Sequence, residues 1–113
     1  MNLSVLPKKI STLHARYEEL SKQKHVLLEI GIIDATPYWH QGKYLYLIYP
    51  MKNGKRRRDY VGADQRKCAP IIAALRRAQL YQQIEARLQQ LETQLREAMF
   101  LVDRLLWVMS ITE

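Results

Sequence analysis

Five cations crowd a single turn. Lys52 precedes the dipeptide Asn53-Gly54, and Lys55, Arg56, Arg57 and Arg58 follow it. Asn-Gly is a strong short-range signal for a two-residue hairpin turn, because both central residues need positive φ. The flanks, Tyr44-Leu45-Tyr46-Leu47-Ile48-Tyr49 and Asp59-Tyr60-Val61, have strand composition. The chemistry such a ribbon offers is neutralisation of a polyanion, above all the phosphate backbone of DNA. Lys52, Lys55, Arg56, Arg57 and Arg58 are the expected phosphate contacts. One or two of the arginines are placed to read guanine edges in the major groove, which admits a two-stranded ribbon. Lys43, Arg66 and Lys67 extend the basic segment and join the expected nucleic-acid surface. The same cations have a plainer use, because Lys and Arg keep an exposed hairpin from pairing edge to edge with other chains. An acidic protein partner is a further possibility.

The charge distribution sharpens this choice. The 113 residues carry 18 Lys and Arg against 11 Asp and Glu, a net +7. Residues 43–67 hold eight cations and two acids, Asp59 and Asp64, which gives +6 for that segment. From Pro70 onward five arginines meet five acids, so that stretch is neutral. The basic character is therefore local.

Other chemistries lack their residues. Cys68 is the only cysteine, so no disulfide framework or cysteine zinc site can form within the chain. His14, His25 and His40 have no metal-ligand spacing, and no phosphate-cradling or nucleophile motif occurs. Glu18 and Glu19 are neighbours that point different ways on a helix. Cys68 is expected to be a structural thiol, with Arg66 and Lys67 near enough to lower its pKa were it exposed. We expect no enzyme activity, cofactor or metal. Residues 1–9 contain no apolar run of signal-peptide length, and residues 98–111 are too short and too charged to span a bilayer. The expectation is a soluble, cytoplasmic protein that does not enter membranes.

Three elements must position the basic turn. Ile10, Leu13, Tyr17, Leu20, Lys24 and Leu27 recur at steps of three and four, and Leu6 extends the series backwards. They predict an amphipathic helix over 7–29, with Lys24 as the one misfit. Pro7 suits its first turn and Gly31 its end. Residues 38–62 form the basic hairpin or sheet. If Gln41-Gly42 is a second turn, Tyr38-Trp39-His40 pairs with Lys43-Tyr44-Leu45 and the sheet has three strands, which is preferred because a lone hairpin is marginal in water. The turn at Asn53-Gly54 sets Ile48 opposite Asp59, Leu47 opposite Tyr60 and Tyr46 opposite Val61. The tyrosines and Trp39 are expected to pack the sheet on helices, with base stacking the basis of an RNA-binding alternative.

Asp64 is the expected N-cap of a long helix over 65–110, disturbed at Pro70. Tyr81, Ile84, Leu88, Leu91, Leu95, Ala98, Val102, Leu105 and Met109 form an unbroken heptad seam. Ile84, Leu88, Leu91, Leu95, Val102, Leu105 and Met109 are the expected oligomer interface. Met99, Phe100, Leu101, Leu106, Trp107 and Val108 add apolar surface on further faces, which calls for cover on several sides. The fold class is α+β, one domain over 1–113: an N-terminal helix, a small antiparallel sheet and a long heptad helix that dimerises as a coiled coil.

Tyr38-Trp39, Tyr44 to Tyr49, Gly54-Lys55-Arg56 and Tyr60-Val61-Gly62-Ala63-Asp64 with the helix after them resemble small uncharacterised proteins of bacterial and archaeal plasmids and transposons. The resemblance covers roughly residues 38–85. Many such proteins carry a cysteine cluster before the hairpin, which this chain lacks. The three-stranded arrangement also looks like the arm-binding sheet of tyrosine recombinases, which reads the major groove. Together these likenesses imply a DNA-associated role on a mobile element. The function expected is non-enzymatic DNA binding, by an accessory or regulatory factor. The runner-up is an assembly module whose coiled coil joins a larger complex.

Overall fold

The computed structural model describes residues 6–112, and the side chains of residues 7–111. Leu6, expected to extend the first helical seam, has its side chain outside the described residues, as do residues 1–5 and Glu113. The elements run α1 (Leu6–Ile30), β1 (Thr36–His40), β2 (Tyr44–Ile48), β3 (Arg58–Gly62) and α2 (Gln65–Thr112). The fold is α+β with a three-stranded antiparallel sheet, as the turn signals indicate. The chain divides into two compact units, residues 1–24 with 84–113, and residues 25–83.

In the first unit α1 and the second half of α2 form a helical pair. Ile10, Leu13, Tyr17, Leu20 and Lys24 are the half-buried face of α1, as their spacing requires. Ile84, Leu88 and Leu91 are buried, and Leu95, Ala98 and Val102 are half-buried. The pairing is antiparallel. Lys24 meets Glu85 at 3.3 Å near one end. Leu13 shares a hollow with Ala98, and Ile10 another with Val102, towards the other end. Lys24, the misfit of the seam, therefore carries an ion pair where its neighbours carry apolar contacts.

The second unit contains the sheet and the start of α2. Gly31 ends α1 at φ +112, donating its N–H to the Leu27 carbonyl at 3.0 Å. Its own carbonyl accepts from Arg77 Nε at 2.7 Å. Asp64 caps α2: its carboxylate accepts the Arg66 N–H at 3.0 Å and its carbonyl accepts the Cys68 N–H at 2.9 Å. Pro70 sits inside α2 without ending it. It removes one amide donor only six residues into the helix, where the Arg66 carbonyl it leaves unpaired belongs to an exposed residue. Leu45 and Leu47 point from the middle strand into the core with Cys68, Ala74, Leu75 and Ala78 of α2.

The register differs from the sequence expectation by one residue on both sides of β2. His40 pairs with Tyr44 rather than Lys43, and Tyr38 with Tyr46. Lys43 is left in the turn, donating its N–H to the His40 carbonyl at 3.1 Å. Across β2 and β3, Tyr46 pairs with Tyr60, Leu47 with Asp59 and Ile48 with Arg58, although Lys52–Lys55 and Leu45–Gly62 keep the expected pairing. Two irregularities produce the slip. Pro50 has no N–H for a ladder, so residues 48–52 on one strand span what residues 55–58 span on the other. Val61 is an extra residue on β3, accommodated because Gly62 takes φ +114. A slip of one residue exchanges the faces of a strand. Tyr60 and Arg58 therefore join Tyr46 and Ile48, while Asp59 joins Leu47.

Candidate nucleic-acid interface

The basic turn forms as its dipeptide dictates. Asn53 and Gly54 adopt φ +54 and +73, and Lys52 and Lys55 exchange hydrogen bonds of 2.8 and 3.0 Å. The ladder resumes where the Tyr49 N–H donates to the Arg57 carbonyl at 2.9 Å. Lys52, Lys55, Arg56, Arg57 and Arg58 are all exposed.

These five cations are not equivalent. Arg57 and Asp59 lie two residues apart on the extended strand, hence on one face, and Arg57 Nη2 reaches the Asp59 carboxylate at 2.8 Å. The guanidinium also lies 4.1 Å from the centre of the Tyr49 ring. The hydrogen bond to Asp59, and then the Asp59 charge, raise the Arg57 pKa above its ordinary value. Arg57 is thus tied to Asp59 and Tyr49 of its own hairpin, although its side chain remains exposed. Lys52, Lys55, Arg56 and Arg58 are in none of the ion pairs among the described residues, which are His14–Glu18, Lys24–Glu85, His25–Glu29, Arg57–Asp59 and Arg96–Glu92.

The structure separates the remaining predicted cations from the tip. Lys43 lies in the β1–β2 turn, its ammonium 5.7 Å from the Tyr44 ring centre, and Arg66 and Lys67 are exposed in the first turn of α2. Trp39, Gly42, Lys43, Ala63, Gln65 and Cys68 line one hollow, so Lys43 and the start of α2 share the base of the sheet. The length of β2, about 13 Å, divides this base group from the tip. Cys68 is buried, with its thiol 3.5 Å from the Gly62 carbonyl, which fits the expected structural thiol. No three His, Cys, Asp or Glu among the described residues are grouped to hold a metal ion.

The aromatic residues depart most from expectation. Leu45 and Leu47 take the helix-facing side of β2, so Tyr46 and Ile48 face outward. The register then sets Tyr38, Tyr46 and Tyr60 in one row across all three strands, with His40 beside them. Ring centres are 6.4 Å apart for Tyr38–Tyr46 and 4.9 Å for Tyr46–Tyr60, and His40 lies 6.5 Å from Tyr38 and 6.4 Å from Tyr46. The expectation that these tyrosines pack on helices is therefore corrected. Period-two alternation of Tyr44, Tyr46 and Ile48 against Leu45 and Leu47 was the available signal. His40 carried no signal of its own.

The expected oligomer interface also divides. Ile84, Leu88 and Leu91 are buried within the chain, and Leu95 and Val102 are half-buried, whereas Leu105 and Met109 are exposed. No family model, no curated protein and no solved structure matches this chain.

Proposed function

We propose that this chain is a non-enzymatic DNA-binding protein, an accessory or regulatory factor in DNA transactions of a mobile element, whose hairpin tip lies on duplex phosphates. The supporting observation is that, among the described residues, four exposed tip cations have no acid within ion-pair reach, although a fifth is captured by Asp59. A rigid two-residue turn fixes their spacing, so little ordering is needed on binding. Lys52, Lys55, Arg56 and Arg58 neutralise phosphates. Arg57 shapes the ribbon. A salt titration of duplex binding tests this. Four phosphate contacts give a log–log slope of about −3 to −4, and Arg56→Ala with Arg58→Ala reduces its magnitude by about 2. No duplex affinity at low salt overturns the proposal.

The last turns of α2 favour a second role, self-association. Leu105, Leu106, Trp107 and Met109 are exposed, and Leu105 and Met109 continue the heptad phase that is covered at Leu91. Asp103 beside Arg104 gives this end a self-complementary charge pair. A second copy satisfies both features and displays two basic hairpins, the arrangement dimeric DNA readers use on paired half-sites. Light scattering decides this point, since the mass of a single chain at every concentration excludes it.

A further inference from the structure

The aromatic row has a use that a duplex cannot supply. Tyr38 and Tyr60 are 48% and 60% exposed. Tyr46 lies between them, 6.4 and 4.9 Å from its neighbours. The next row on the same face is Thr36, Ile48 and Arg58, so a cation borders the rings. At the other end of the face, Lys43 lies beside Tyr44. We infer that this outward face binds unpaired nucleobases of single-stranded DNA, stacked on Tyr38, Tyr46 and Tyr60, with Arg58 and Lys43 following the phosphates.

Three arguments converge on unpaired bases. A base offers its flat face only when it has left the duplex stack, whereas a paired base presents edges alone. The rings are tilted to one another by 53° and 50°, so bases seated on them cannot keep the parallel stack of one strand, spaced by roughly 3.4 Å, and must be spread. An unpaired strand spreads without breaking pairs. Tyrosine also suits such a platform, because every base has a π face and the contact tolerates any sequence. The plainer role of the row is to steady a small sheet, since cross-strand aromatic pairs do so. That role does not call for a cation at either end.

This inference rests on the reading of the chain as a DNA-binding protein and places a second mode on the same sheet. The test compares a fluorescein-labelled oligothymidylate of twelve residues with a duplex of similar length, by anisotropy, using the full chain. Tyr38→Thr and Tyr60→Thr remove rings but keep strand-favouring residues. Each substitution is expected to weaken oligothymidylate binding roughly five- to a hundredfold, with duplex binding and the thermal melt nearly unchanged. Should a Thr variant lose its melt, Tyr60→Leu is measured in its place. Duplex binding without oligothymidylate binding by the wild type overturns this inference alone. So does oligothymidylate binding that is indifferent to both tyrosines. Absence of binding to either DNA overturns the hairpin proposal as well.

Discussion

Along α2, the seam at Ile84, Leu88 and Leu91 is buried, while the same seam at Leu105 and Met109 is 38% and 58% exposed. Residue type and spacing do not distinguish the two stretches. What differs is how far the described part of α1 runs alongside them. Its described start, Leu6, comes level with the neighbourhood of Val102, because Pro7 and Ile10 share a hollow with that residue. Beyond that point, among the described residues of the first unit, no element stands opposite α2. A heptad pattern therefore states that a face needs a partner. It does not state whether the partner is in the same chain.

The largest test of this contrast is stability. Leu91 is fully buried, and Leu91→Ala should destabilise the chain by about 2–5 kcal/mol. Leu105 is 38% exposed, and Leu105→Ala should cost less than about 1 kcal/mol in dilute solution. Denaturant melts measure both. Equal losses would mean that the end of α2 is as well packed as its middle. Leu91 is thus unsuitable for probing a dimer by substitution, since Leu91→Asp disrupts the monomer first.

Association gives the next largest effect. Leu106→Asp and Trp107→Asp place charges on side chains that are 58% and 64% exposed, so the dilute melt should hardly move. If two copies pair here, the concentration dependence of the melt should vanish in both variants, because only an associating chain is stabilised by mass action. Persistence of the wild-type dependence would place the contact elsewhere.

The helical pair was more legible in the sequence than the sheet, for a physical reason. A helix face spans several positions per turn, so the series Ile10, Leu13, Tyr17, Leu20 remains correct even if a boundary moves by a residue. The observed ends, Leu6–Ile30 and Gln65–Thr112, do move by a residue or two without changing which side chains are covered. A strand has a period of two, and one misplaced residue exchanges its faces. The Asn53-Gly54 turn and the Asp64 cap were readable because their causes are local. Pro50 by its type marks an edge strand or a bulge, but the register beyond it, and the slip at Val61, were not readable, because their effect appears only where the partner strand resumes pairing. Those slips assembled the row Tyr38–Tyr46–Tyr60, so the aromatic face was hidden while its residues were in view. Capture of Arg57 by Asp59 was readable in principle, since residues two apart on a strand share a face.

The smallest expected effect concerns the one polar member of the covered seam. Lys24 occupies a position where spacing calls for an apolar side chain, and its ammonium lies 3.3 Å from Glu85. The two side chains are 31% and 44% exposed, so the charges remain in contact with water and their attraction is screened. Such a pair contributes about 0–1 kcal/mol. Lys24→Leu removes it and completes the apolar series from Ile10 to Leu27. Added burial at a half-open site offsets the lost pair, so the melt should change by less than about 1 kcal/mol in either direction. The salt dependence carries more information than the melt itself. Raising ionic strength should lower the wild-type stability slightly and leave that of Lys24→Leu less affected. A loss approaching that of Leu91→Ala would show instead that the Lys24–Glu85 contact fixes how the two helices pair. The covered seam would then owe its cover to an ion pair as much as to its leucines.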